Sequence, residues 1–176
     1  MQLSEKVKKA LDFATQKHKG QKRKGGEDYI THPIAVCEMM IEKGYGEDYQ
    51  ITALFHDLIE DTDATEQEIL SLGGEKVLSA VKLLTKYKGY DMKTYVESIK
   101  KNEIASKVKS ADRLHNLQSA LVTDDEFKRR YILETVDWYL DFSPEIGKAL
   151  KKLAESLKNP ISELSFLYSP IETWKI

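Results

Sequence analysis

Apolar residues along this chain recur every three or four positions and almost nowhere alternate singly with polar ones. That is the period of helices rather than of half-buried strands. Only four prolines and nine glycines interrupt the 176 residues. The pattern therefore predicts an all-α chain, a single compact multi-helix domain over residues 1–158. Val7, Ala10, Leu11, Ala14 and His18 form the stripe of a first helix, with Ser4 as its N-cap. A loop over 20–28 follows. The second helix starts near His32-Pro33, where proline suits a first turn, and ends at Gly44 and Gly46. A third covers Tyr49 to Glu60. Thr65 with Glu68 three residues on predicts a capping box and a short helix to Leu72, and Gly73-Gly74 separates it from a fifth helix over Glu75–Thr85. Beyond a loop at Tyr87–Tyr90, helices are expected over Met92–Lys101, Glu103–Leu121, Asp125–Leu140 and Pro144–Leu157. Residues 159–176 carry two prolines and several apolar side chains. They are expected to form a tail packed on the domain or on a partner subunit.

Composition narrows the function classes. Hydrophobic residues make up 41% and charged residues 32%, an ordinary globular balance. A net charge of -2 gives no basic field for nucleic acid. No apolar run approaches the roughly 20 residues of a membrane span. A single cysteine, Cys37, cannot form an internal disulfide and suits a reducing compartment. The first residues lack the apolar stretch of a signal peptide. The expectation is a cytoplasmic protein with a small-molecule substrate and neither nucleic acid nor membrane as partner.

The chemistry concentrates at Phe55-His56-Asp57-Leu58-Ile59-Glu60-Asp61. On a continuous helix His56 and Glu60, and Asp57 and Asp61, are four apart, so all four project from adjoining faces. Three carboxylates so close repel one another when buried without a counter-charge. A divalent cation resolves that conflict, and imidazoles with carboxylates suit Mn, Fe or Zn, the oxygen share favouring Mn. The alternative is a surface helix end with solvated acids, against which Leu54, Phe55, Leu58 and Ile59 argue for burial. Further ligand candidates are His32 and Asp112. Asp112, His115, Asn116 and Ser119 share one helical face, although an acid like Asp112, taken alone, is more often salt-bridged or solvated.

In order, Gly20-Gln21-Lys22-Arg23-Lys24, Tyr29-Ile30-Thr31-His32-Pro33, His56-Asp57-x-x-Glu60-Asp61-Thr62, Leu84-Thr85-Lys86 and Lys109-x-x-Asp112-Arg113-Leu114-x-Asn116 span about two-thirds of the chain. Together they resemble the HD superfamily of metal-dependent phosphohydrolases, and within it the hydrolase domain of the RelA/SpoT group, of the stand-alone small alarmone hydrolase type. Three positions depart from that group's usual pattern: Asp28 for proline, Leu72 for phenylalanine and Ser119 for threonine.

The resemblance implies that His32, His56, Asp57 and Asp112 bind one Mn²⁺, with Glu60 and Asp61 as the acid–base pair beside it. The implied reaction removes the 3′-pyrophosphate of (p)ppGpp, giving GDP or GTP and pyrophosphate. Arg23 and Lys24 would flank the nucleotide, Asn116 would bond ribose or phosphate, and Lys86 and Ser119 would add contacts. The remaining lysines of the basic run, among them Lys17 and Lys22, read as a solvated loop. His18 reads as a satisfied core histidine or one that supports the site from behind, His115 as one that supports it, Cys37 as packing, and Tyr131, Trp138 and Tyr139 as core. Two other readings remain: a phosphatase of the same site acting on another nucleotide or a phosphorylated cofactor, and a non-catalytic nucleotide-binding or structural protein.

Overall fold

A computed structural model describes residues 3–174, and among them helices account for all regular structure apart from one isolated antiparallel bridge, Lys22 to Asp28. The all-α expectation holds. The chain divides into two compact units, the first ending at Ala111 and the second beginning at Asp112.

The first unit is built around a short central helix. Helix α1 (Glu5–Lys17), α2 (Thr31–Glu42) and α6 (Glu75–Leu84) all pack on α3 (Glu47–Phe55). Helix α3 buries five consecutive residues, Ile51 to Phe55. A helix apolar on every side has to sit inside, because no face remains for water. The caps fall where the sequence placed them. Ser4 accepts from Val7 N–H at 3.3 Å. Thr65 and Glu68 form a reciprocal capping box at the start of α5 (Glu66–Gly73). Gly74, at φ 89°, turns the chain from α5 into α6 in a left-handed conformation that favours glycine. Gly73 is glycine for a different reason: a Cβ there would lie 2.6 Å from the Val77 side chain. Asp91 caps α7 (Met92–Lys100) by accepting from Thr94 N–H at 2.8 Å.

The expected third helix is not continuous. It stops at Phe55 and resumes as a single turn, α4 (Leu58–Asp61), with His56 and Asp57 at the break. Asp57 takes φ -102°, ψ -2°, at the bridge-region edge of the right-handed basin. The expected helix over 103–121 appears as α8 (Glu103–Ser119) followed by a tighter turn over Ala120–Val122.

The second unit contains α9 (Asp125–Trp138), α10 (Pro144–Glu155) and residues 159–174, folded as short 3₁₀ segments. Leu150, Ile132, Ile146, Ile161, Leu167 and Trp174 share its core. Gly147 leaves room for the Trp174 ring, which lies 3.7 Å from where a Cβ would be. Arg113 is buried here, its guanidinium 4.1 Å from the Tyr139 ring centroid and 4.9 Å from that of Tyr131, with Nη2 donating to Glu134 at 3.0 Å. Tyr139 is a core residue as expected, whereas Tyr131 and Trp138 are half-buried. Among the described residues no helix is long and apolar enough to cross a membrane.

Candidate metal centre

The break after α3 is where the donor atoms gather. His32 enters from the first turn of α2, and His56 and Asp57 from the interruption itself. The two Nε2 atoms are 3.2 Å apart. Asp57 Oδ2 lies 3.0 Å from His56 Nε2 and 3.8 Å from His32 Nε2. Ligands about 2.0–2.2 Å from one ion are roughly 3.0 Å apart at right angles and 3.4 Å apart at the tetrahedral angle. The observed triangle spans those values. Its three residues form a group able to hold a metal ion, and both imidazoles are buried.

His56 is already oriented for that role. Its Nδ1 lies 2.7 Å from the Ala53 carbonyl, so the Nδ1 proton is donated there and the lone pair sits on Nε2. That lone pair faces the Asp57 carboxylate and the His32 imidazole.

Two acids complete the same corner. Asp57 N-terminal to α4 and Thr62 C-terminal to it pin the turn: Asp61 N–H donates to Asp57 O, and both Thr62 N–H and its hydroxyl donate to Leu58 O. Glu60 Oε2 accepts from Lys86 N–H at 2.8 Å. Loss of hydration raises the Glu60 carboxyl above the ordinary range. The Lys86 bond opposes this, and the charges of Asp57 and Asp61 reinforce it. Asp61 is likewise raised by burial first and Asp57 second, with Tyr29 working against the shift. Two carboxyls raised by burial, beside a cluster of metal donors, suit proton transfer.

The loop carrying Arg23 and Lys24 is more ordered than a solvated run. Arg23 N–H donates to Glu27 O and Gly26 N–H to Arg23 O, both at 2.9 Å, so the two basic residues occupy a tight turn. Lys22 pairs with Asp28 at 2.7 Å. The aspartate that stands out against the resembled pattern thus closes the turn, and its carbonyl accepts from Thr31 at the start of α2. Lys17 is also engaged, with Asp63 at 3.0 Å and Glu68 at 3.1 Å. His18 is buried, and its Nδ1 lies 2.8 Å from Gln21 Oε1. Lys86 places its ammonium over the Tyr90 and Tyr95 rings, and the buried Lys109 lies over Tyr95 as well. Cys37 is buried among apolar neighbours, which push its thiol up to about 12.

In the second unit Asp112 is buried, and Asn116 Nδ2 donates to Asp112 Oδ1 at 2.6 Å. That bond bears out their common helix face. Ser119 ends α8 half-buried. Two residues that the sequence reading left without a role matter locally. Tyr29 donates its hydroxyl to Asp57 and Asp61, and Gln21 donates to the Asp61 carbonyl. Neither connection is visible in a spacing, because each joins residues 28 to 40 positions apart.

A family model described as HD domain matches residues 10–144. The chain belongs to the HD domain family, whose members bind a divalent metal. Among curated proteins it is 34% identical over 175 residues to the guanosine-3′,5′-bis(diphosphate) 3′-pyrophosphohydrolase of Aquifex aeolicus, covering 95% of this chain and 24% of that protein. It is 33% identical over 180 residues to the GTP pyrophosphokinase rsh of Brucella melitensis, covering 96% of this chain and 23% of the relative. The chain thus spans about a quarter of the length of these relatives. A solved metazoan ortholog of SpoT, described as hydrolysing ppGpp, shares the fold with a TM-score of 0.62 at 24% identity, over 97% of this chain and 96% of that one.

Proposed function

We propose that this protein is a (p)ppGpp 3′-pyrophosphohydrolase that uses Mn²⁺. The observation that carries the reading is the donor triangle of His32, His56 and Asp57 with Glu60 and Asp61 held against it. Similarity to a 3′-pyrophosphohydrolase over nearly the whole chain supports the choice of substrate. In this reading Asp112 is the fourth ligand, and the two carboxylates of the set favour Mn²⁺ over metals that prefer softer ligands. When bound, the ion supplies Lewis-acid polarisation of a phosphoryl oxygen and lowers the pKa of water.

The chain's own residues do the rest. Asp61, held by Tyr29 and Gln21, takes the proton of the attacking water. Glu60, its carboxyl raised by burial, donates to the oxygen on which charge develops. Arg23 and Lys24 grip the nucleotide from their turn, Arg23 offering a planar face for a base or a fork for phosphate. Asn116, Ser119 and Lys86 contribute polar contacts to ribose and phosphate.

Chromatography of products after incubating ppGpp with protein and Mn²⁺, with a chelator control, tests this. GDP and intact pyrophosphate are expected. Orthophosphate would point to stepwise dephosphorylation, and turnover of other nucleotides at higher kcat/KM would reassign the substrate.

A further inference from the structure

The Tyr29 hydroxyl touches two acids with different tasks. It lies 2.6 Å from Asp57 Oδ2 and 3.3 Å from Asp61 Oδ2. Asp57 Oδ2 is the same oxygen that faces both imidazole nitrogens. We infer that Tyr29 is a positioning residue whose hydroxyl aims the metal-facing oxygen of Asp57 and ties that carboxylate to Asp61. Occupancy of the metal site and placement of the Asp61 carboxylate are thereby set together. The inference rests on the proposed function only for the roles of Asp57 and Asp61.

The geometry separates the hydroxyl from the ring. The ring packs beside His18 at 4.8 Å and edge-on to His32 at 6.1 Å, contacts a phenylalanine would keep. Asp61 has a second tie that does not use the hydroxyl, through Gln21 Nε2 to its carbonyl at 2.7 Å. The loop itself closes through Tyr29 N–H to Gln21 O at 3.0 Å, a backbone bond indifferent to the side chain. Removing one oxygen therefore takes away this one bond to Asp57 while the fold around it stands. A phenol has one proton, and the shorter contact gives it to Asp57, leaving Asp61 as the weaker partner.

The test is a Mn²⁺ titration of the full chain without nucleotide, followed by electron paramagnetic resonance, on wild type, Tyr29→Phe, Asp61→Asn and the double variant. Loss of a hydrogen bond behind a ligand typically weakens metal affinity about 10–100-fold. Tyr29→Phe is expected to fall in that range with helical circular dichroism unchanged, and with kcat lowered more than KM is raised. The two substitutions should be non-additive in Mn²⁺ affinity, because they share one bonded unit. Gln21→Ala, which removes the tie to the Asp61 carbonyl and the contact with His18 but leaves the Tyr29 hydroxyl in place, should keep Mn²⁺ affinity within about threefold, well short of that range. The inference is overturned by unaltered affinity in Tyr29→Phe, by additivity, by an equal loss in Gln21→Ala, or by failure of Tyr29→Phe to fold. No Mn²⁺ binding in wild type would defeat the metal reading itself, which the other outcomes leave standing.

Discussion

At the scale of single residues, the donors were legible because their types are rare together inside apolar sequence. The hydrogen bonds that aim them were not. His56 could be singled out between Phe55 and Leu58, but its bond to the Ala53 carbonyl depends on the chain breaking helix there. His56→Ala is expected to abolish Mn²⁺ binding and reduce turnover below detection, measured by titration and product chromatography. Retention of a tight Mn²⁺ site would remove His56 from the ligand set. Glu60→Gln separates chemistry from binding: turnover should fall about 10²–10⁴-fold, the usual worth of a positioned acid or base, with Mn²⁺ affinity kept. The same variant reports on the raised carboxyl. Between the ordinary carboxylate value of about 4 and the raised folded value, the native state binds more protons than the unfolded one. Metal-free stability therefore falls as pH rises through that window. Glu60→Gln should raise the metal-free Tm at pH 7 and leave it unchanged at pH 3. A lowered Tm at pH 7 would contradict the assigned cause.

At the scale of elements, ends were easier to read than interruptions. Ser4, Thr65 and Asp91 satisfy orphan N–H groups through their own side chains, a local effect that sequence records directly. The gap at His56-Asp57 has no such local mark. Nothing there is glycine or proline, and the apolar spacing of Leu54, Phe55, Leu58 and Ile59 fits an unbroken helix. Tertiary context, with Asp57 drawn toward Tyr29 and the two imidazoles, wins over a period that propensity alone would continue. The capping box invites a stability measurement away from the chemistry. Thr65→Ala removes the acceptor for Glu68 N–H and loosens the reciprocal bond. It should cost about 1 kcal/mol, with a Tm lowered by about 2–4 °C in a chain of this size and turnover unaffected. Reduced turnover with an unchanged Tm would mean that α5 serves the site directly.

At the scale of the whole molecule, the chain brings residues from distant elements into one group able to hold a metal ion. The group of two imidazoles and a carboxylate, with two further acids raised by burial and by that charge, sits among packed helices whose existence the sequence pattern foretold. Anything that binds the native arrangement and not the unfolded chain stabilises it by mass action, about 2.7 kcal/mol at a concentration a hundred times Kd. Protons compete for the same atoms, since imidazoles must be neutral and Asp57 ionised to accept a cation. The Mn²⁺-induced rise in Tm should therefore be larger at pH 8 than at pH 5. Scanning fluorimetry with saturating Mn²⁺ or with chelator, at pH 5, 6.5 and 8, measures it. His56→Ala at pH 8 should respond as wild type does at pH 5. An equal rise at all three pH values, or one that survives His56→Ala, would place the stabilising ion on surface acids and away from the buried histidines.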